Sequence, residues 1–212
     1  MKPKIHTTNT AKSGLDSDKQ YKWLHLWAGK EVPPTRAGSF NHLIDDILRL
    51  NSDHLLICQY SPESHKLSAS SQTSIIYVEF KPKVSFKSKM KHRLTGAHSI
   101  NYEDFLKKSF EIIEQIKCDN IMVWGTPLYL SRLRAAFPEK TIAYNQRYFQ
   151  HAYDIANQYD YCDILLTQTI GTSKLAFEMN YAVTPLNLTI PNGVELNIFT
   201  PSSKEEKIKF KA

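Results

Sequence analysis

The chain has 212 residues, 42% of them apolar, and a formal charge of +6, enough for one sizeable core with loose ends. No apolar run approaches the roughly 18 residues of a membrane-spanning helix, and residues 1–20 are polar and lysine-bearing, without a signal peptide's hydrophobic stretch. Cys58, Cys118 and Cys162 are odd in number, widely spaced and set in or beside apolar runs, which argues against a disulfide frame or zinc site and for buried thiols in a reducing compartment.

Residues 1–20 read as a disordered leader, and the first element follows it. Residues 21–28, Tyr-Lys-Trp-Leu-His-Leu-Trp-Ala, suit a central strand. A loop over residues 29–38 carries Pro33-Pro34, Arg36 and Ala37-Gly38-Ser39. Phe40, Leu43, Ile44, Ile47, Leu48 and Leu50 then recur at helical spacing with Asp45, Asp46 and Arg49 between them, and Ser39 is placed to cap that helix. Residues 54–60 and 74–80 predict two further strands, separated by a serine-rich loop. Residues 102–117 predict a helix whose stripe is Phe105, Leu106, Ile112, Ile113 and Ile116. A strand over 120–124 stops at Gly125-Thr126-Pro127; a helix over 128–137 turns Arg132 and Arg134 to solvent. Strands at 140–144 and 163–167, a helical turn or two around 151–158 and a helix over 172–181 complete the alternation. This order predicts an α/β fold: a single Rossmann-like domain over residues 21–199, its sheet mostly parallel, with helices on both faces. Residues 200–212 turn to Ser, Lys and Glu and read as a linker.

Ligands of such sheets bind beyond the carboxyl ends of the strands, near helix N-termini that favour anions. Three stretches fall there. In the first loop, Gly38 would let a ligand approach the backbone and Arg36 could pair with a phosphate or carboxylate, although a lone glycine also serves as a plain turn. Asn145, Gln146 and His151 lie in the polar, aromatic segment after the fifth strand, suited to sugar hydroxyls and ring faces or simply to a solvated loop. Thr169, Thr172 and Ser173 stand between strand and helix, where their hydroxyls can cap the helix. Finally, Ile190-Pro191-Asn192-Gly193-Val194-Glu195, with Phe199 and Pro201 beyond, ends a strand in a tight turn, because Asn192 and Gly193 tolerate positive φ and Pro191 forces its neighbour extended.

That last segment resembles the Ile-Pro-Asn-Gly-Val-Asp segment of family 4 glycosyltransferases, where the chain of a two-domain GT-B enzyme passes from acceptor domain to nucleotide-sugar domain. The loop Pro33-Pro34-Thr35-Arg36-Ala37-Gly38-Ser39 is similar to the family's first loop, with Ala37 in place of the first of its paired glycines. The threonine-rich turn at 167–173 also has a counterpart there. The resemblance implies one half of a GT-B fold, the N-terminal acceptor-side domain, with the donor domain absent. It implies retaining transfer of a sugar from a nucleotide-sugar to a hydroxyl acceptor, glycan or lipid-linked, with no metal and no other cofactor. Arg36, Ala37, Gly38 and Ser39 would then approach the diphosphate and acceptor. Asn145, Gln146 or His151 would take the place of the family's catalytic histidine, and Thr169, Thr172, Asn192, Gly193 and Glu195 would line the interdomain cleft. Alone, the chain would lack the diphosphate's electrostatic clamp and be inactive; a donor domain, missing here or separately encoded, would have to complete it. A non-catalytic binding module that kept this fold, and an unrelated Rossmann-like enzyme, are the alternatives.

Between the third strand and the next helix, Lys81, Lys83, Lys87, Lys89, Lys91 and Arg93 alternate with Val84, Phe86, Met90 and Leu94. Such a run is a solvated loop or a contact for an anionic membrane, through Lys87, Lys89 and Lys91 above all. No nucleic-acid-binding module accompanies it, so no nucleic-acid partner is expected. The implied location is cytoplasmic, peripheral to the inner membrane surface where the lysines engage.

Overall fold

The computed structural model describes residues 5–7, 19–29, 32–33, 39–68, 74–80, 90, 102–125, 127–146, 158–171, 173–174 and 186–190. They form an eight-stranded sheet in the order β1-β5-β4-β3-β7-β8-β9-β10. Its strands are β1 (Ile5–Thr7), β3 (Trp23–Trp27), β4 (His54–Gln59), β5 (Ser74–Val78), β7 (Asn120–Trp124), β8 (Thr141–Gln146), β9 (Ile164–Thr167) and β10 (Leu186–Thr189). Every pairing in it is parallel except β1 on β5. A small parallel pair, β2 (Gln20–Tyr21) and β6 (Lys117–Cys118), precedes β3 and β7 by one residue each, and its Tyr21 and Cys118 join the same core. The mostly parallel α/β fold expected from the alternation is therefore present.

Among the described residues, helices cover both faces. On one face, α3 (Glu103–Ile113) and α4 (Leu130–Ala136) bury Phe105, Leu106, Ile112, Leu130 and Leu133 against Leu24, Leu26, Ile57, Val123, Ile142 and Tyr144. On the other, α1 (Ser39–Leu50) sets Ile44 and Leu48, one turn apart, over Leu56, Cys58, Ile75 and Trp124. Tyr77 ties α2 (Pro62–Ser68) to the same face, its hydroxyl donating to the Val32 carbonyl at 2.7 Å and the Ser64 carbonyl at 3.3 Å. All three cysteines are buried thiols, and burial pushes that of Cys162 up to about 12.

Several expectations change in detail. Ile5–Thr7, expected within a disordered leader, is an antiparallel edge strand on Val78, Tyr77 and Ile76. The serine-rich loop contains α2, started by Ser61, Pro62 at the first helical position and an acidic first turn. The helix predicted over 102–117 ends at Ile113; Gln115 and Ile116 then make short bonds to Ile112 and Ile113, and Lys117–Cys118 must extend to pair with β2. Leu50 lies off the α1 stripe, 82% exposed, whereas Asp45 is buried and held by Arg49 at 2.8 Å. Burial raises the Asp45 pKa, against the pull of Arg49. Arg134 is half-buried rather than wet. It donates to the Pro138 and Lys140 carbonyls and to Asp163, whose carboxylate also accepts the Ile142 N–H, so one guanidinium ties α4 to the starts of β8 and β9.

Candidate functional site

The strand order reverses between β3 and β7, so the carboxyl ends of these two strands flank the topological switch point, where open α/β sheets hold their ligands. Trp27 closes β3 and Trp124 closes β7. The Trp27 indole lies against both Gly29 and Gly125, and a Cβ on either glycine would overlap it. Gly125 also takes φ +86°, a left-handed conformation that resists any side chain. The Gly125 carbonyl accepts the Tyr144 hydroxyl at 3.3 Å. This glycine therefore joins an indole on one face of the sheet to a tyrosine on the other.

To the right of the switch point the rim is built by β8, β9 and β10. Asn145 and Gln146, expected in a loop after the strand, are the last two residues of β8. The strand continues because both pair with β9, Asn145 opposite Leu166 and Gln146 opposite Thr167. Strand pleating then sends their side chains to opposite faces. Asn145 stands beside Trp124 on the α1 face, while Gln146 shares the α3 face with Tyr144 and Ile142. The two cannot converge on one atom.

Gln146 is 1% exposed, and among the described residues neither end of its amide makes an aligned hydrogen bond, its polar neighbour being the Tyr159 hydroxyl. Next along the same row come Thr167 and Thr189, register partners whose hydroxyl oxygens are 3.2 Å apart. Tyr159, in a short 3-10 turn over Gln158–Tyr161, stacks on Tyr144 with ring centroids 5.9 Å apart. Burial, then Cys162, pushes the Tyr159 hydroxyl up, and the neighbouring Gln146 amide works the other way. The Tyr159 hydroxyl, too, lacks an aligned partner. A buried amide and phenol whose mutual contact is poorly aligned are less well satisfied than polar groups in a core usually are.

Beneath the switch point lies a polar chain that no sequence pattern announced. Trp124 Nε1 donates to His25 Nδ1 at 3.0 Å, and His25 Nε2 meets His54 Nδ1 at 2.9 Å. An indole N–H can only donate, so His25 carries its proton on Nε2 and gives it to His54. Burial, then His54, lowers the His25 pKa to about 3; burial also lowers that of His54, against the pull of Asp53. Both rings are neutral and fixed in tautomer. Their effect is to orient Trp124 at the strand end.

From β3 rightward, the last two residues of each strand are Leu26-Trp27, Val123-Trp124, Asn145-Gln146, Leu166-Thr167 and Leu188-Thr189, and none is charged. The rim offers amides, hydroxyls and indoles. Beyond β9, Thr169 heads a helical turn, its carbonyl accepting the Ser173 N–H at 3.0 Å. Ser173 does not cap: its hydroxyl accepts from Asn187 at 2.8 Å, because it lies a full turn inside. β10 ends as expected before Pro191, with the Ile190 N–H on the Thr167 carbonyl at 2.7 Å. Ser39 is the first residue of α1. Arg36, Ala37, Gly38, Lys87, Lys89, Lys91, His151, Thr172, Asn192, Gly193 and Glu195 lie outside the described residues. Among the described residues no cluster of His, Cys, Asp and Glu could hold a metal, and no helix is long and apolar enough to cross a membrane.

Trp27, Thr189 and Tyr159 were not among the expected site residues, whereas Thr167 opens the threonine-rich turn at 167–173. For Trp27 a signal existed, an aromatic closing a strand two residues before a glycine; the others required the strand order.

The fold is a Rossmann-like, mostly parallel α/β domain. It superposes on sucrose-phosphate synthase from Thermosynechococcus elongatus with a TM-score of 0.55 at 12% identity, over 91% of this chain and 53% of the synthase chain. The chain thus spans about half the length of that structural relative. The sequence itself matches no protein-family model and no curated protein.

Proposed function

We propose that this chain is the acceptor-holding half of a GT-B glycosyltransferase of the family 4 kind. It binds a hydroxyl-bearing acceptor, glycan or lipid-linked, at the carboxyl rim of its sheet. The observation that carries this reading is Gln146: a buried amide at a strand terminus, held by no aligned hydrogen bond among the described residues and set beside two threonine hydroxyls. An amide presents a donor and an acceptor together, the complement of a sugar hydroxyl, which is also both. It has no proton to exchange near neutral pH, so Gln146 orients a substrate and does not act as acid or base. Asn145 faces away, and His151 stays the candidate for any proton transfer.

In the same reading, Arg36, Ala37, Gly38 and Ser39 form the approach to the donor diphosphate, and Thr169, Thr172, Asn192, Gly193 and Glu195 line the cleft towards a donor domain. Transfer is retaining and needs no metal. Lys87, Lys89 and Lys91 hold the domain at an anionic membrane face where the acceptor is lipid-linked. A non-catalytic glycan-binding module would use the same rim without a donor.

The test is a panel assay of neutral glycans and nucleotide-sugars. The chain alone binds glycans and releases no nucleoside diphosphate from the sugar donors; supplying the donor domain starts transfer. Tight nucleotide-sugar binding without glycan binding would instead identify a Rossmann-like nucleotide enzyme.

A further inference from the structure

We propose that Trp124, His25 and His54 form a proton relay: a proton taken up by His54 at the amino edge of the sheet releases Trp124 at the carboxyl edge. The relay does not depend on which ligand the rim takes. Its three members stand on adjacent strands, β7, β3 and β4. Trp124 is 0% exposed and His25 1%, whereas the His54 side chain is 13% exposed, so solvent protons enter at His54. The tautomer that Trp124 imposes on His25 fixes the next ring as well. Because His25 Nε2 donates, His54 accepts on Nδ1 and carries its own proton on Nε2, 4.0 Å from the Asp53 carboxylate. Every hydrogen along the line points from the indole towards Asp53.

The one His54 nitrogen without a proton is therefore Nδ1, and an added proton binds there, facing the N–H of His25. His25 can accept from it only by holding its own proton on Nδ1 instead. That hydrogen then meets the Trp124 N–H, which cannot accept. One of the two bonds must be lost. A charged imidazolium donates about twice as strongly as a neutral group, so the bond between the rings is kept and the break falls on Trp124. The line gains one proton, from water: His54 then carries hydrogens on both nitrogens and His25 on Nδ1. Trp124 packs with Ile44 and Leu48 of α1 and closes β7 at the switch point, so its release loosens the floor beneath both. Burial lowers the His54 pKa from 6.5; Asp53 opposes that and Lys22 adds to it. The bond to Trp124 is thus intact above pH 6.5 and is lost below it, as His54 charges. Lys19 donates to the Ser52 carbonyl, and on α1 Asp45 is held by Arg49 with Asp46 and His42 beside it; none of these bonds either imidazole. From β7, Met122 and Trp124 bring no charge.

The experiment is nitrogen-15 NMR on the intact chain, following the His54 ring and the Trp124 indole N–H from about pH 7.5 to about pH 4.5. The Trp124 indole proton should move upfield, as loss of its hydrogen bond requires, with the same midpoint as His54 and below pH 6.5. The control is His54→Asn, whose side-chain oxygen stands where Nδ1 stood. It still accepts from His25 and takes up no proton in this range. In that variant the Trp124 resonance should stay fixed across the whole range. The relay is overturned if His54 fails to titrate, if it titrates while Trp124 stays in place, or if Trp124 moves equally in His54→Asn. The shared midpoint is read on the unaltered chain, so the outcome is decided even where His54→Asn does not fold.

Discussion

Gln146 separates a binding site from a packing defect. If its amide serves a ligand, then replacing it with the similarly shaped Met should raise stability, because a buried amide without an aligned partner among the described residues disappears. The expected gain is about 1–3 kcal/mol, read as a higher thermal midpoint, accompanied by weaker glycan binding. A less stable Gln146→Met would show instead that the amide holds the fold together. His25 makes the opposite kind of prediction. Its folded pKa of about 3 lies below the ordinary 6.5, so the unfolded chain binds the extra proton between those values. Stability is complete above pH 6.5 and falls as pH drops towards 3. From pH 6.5 to pH 5 the loss from His25 should be on the order of 2 kcal/mol, measurable by urea unfolding at the two pH values. An unchanged midpoint would mean that the buried ring can be charged after all. Neither residue's role is legible in the sequence. His25 is one letter in an apolar strand, and its partners His54 and Trp124 are 29 and 99 residues away.

Elements were easier to read than their ends. Hydrophobic runs located β3, β4, β5, β7 and β9 because each is buried and needs continuous apolar residues. The end of β8 was missed because Asn145 and Gln146 are poor strand formers, held extended only by their register with β9. The α2 helix was hidden by its serines, although Ser61-Pro62-Glu63 is a recognisable helix start. The ends of β3 and β7 yield a test by coupling. Gly29→Ala should cost about 1–3 kcal/mol, the usual penalty of overpacking, and that cost should vanish in a Trp27→Ala background where the overlap is gone. Gly125→Ala should remain costly in both backgrounds, since φ +86° opposes a side chain whatever its neighbour. Denaturant melts of the four combinations would decide. Equal costs for Gly29→Ala with and without the indole would mean that Trp27 moves aside freely.

At the scale of the molecule, seven parallel strands with one reversal define a crevice at β3 and β7. The alternation of strands and helices made the fold class legible, and the parallel α/β sheet is what the structure shows. The strand order, and therefore the location of the crevice, depends on contacts between segments far apart in sequence and could not be read from any window. Much of the expected site, including Gly38, His151 and the Asn192-Gly193 turn, lies outside the described residues. The part now visible is an uncharged rim of indole, amide and hydroxyl. A crystal structure of the chain with its tightest-binding glycoside tests whether that rim holds a sugar. A sugar hydroxyl should lie about 3 Å from the Gln146 amide. Density for the glycoside elsewhere on the surface, with Gln146 satisfied by protein or ordered water alone, would contradict the assignment.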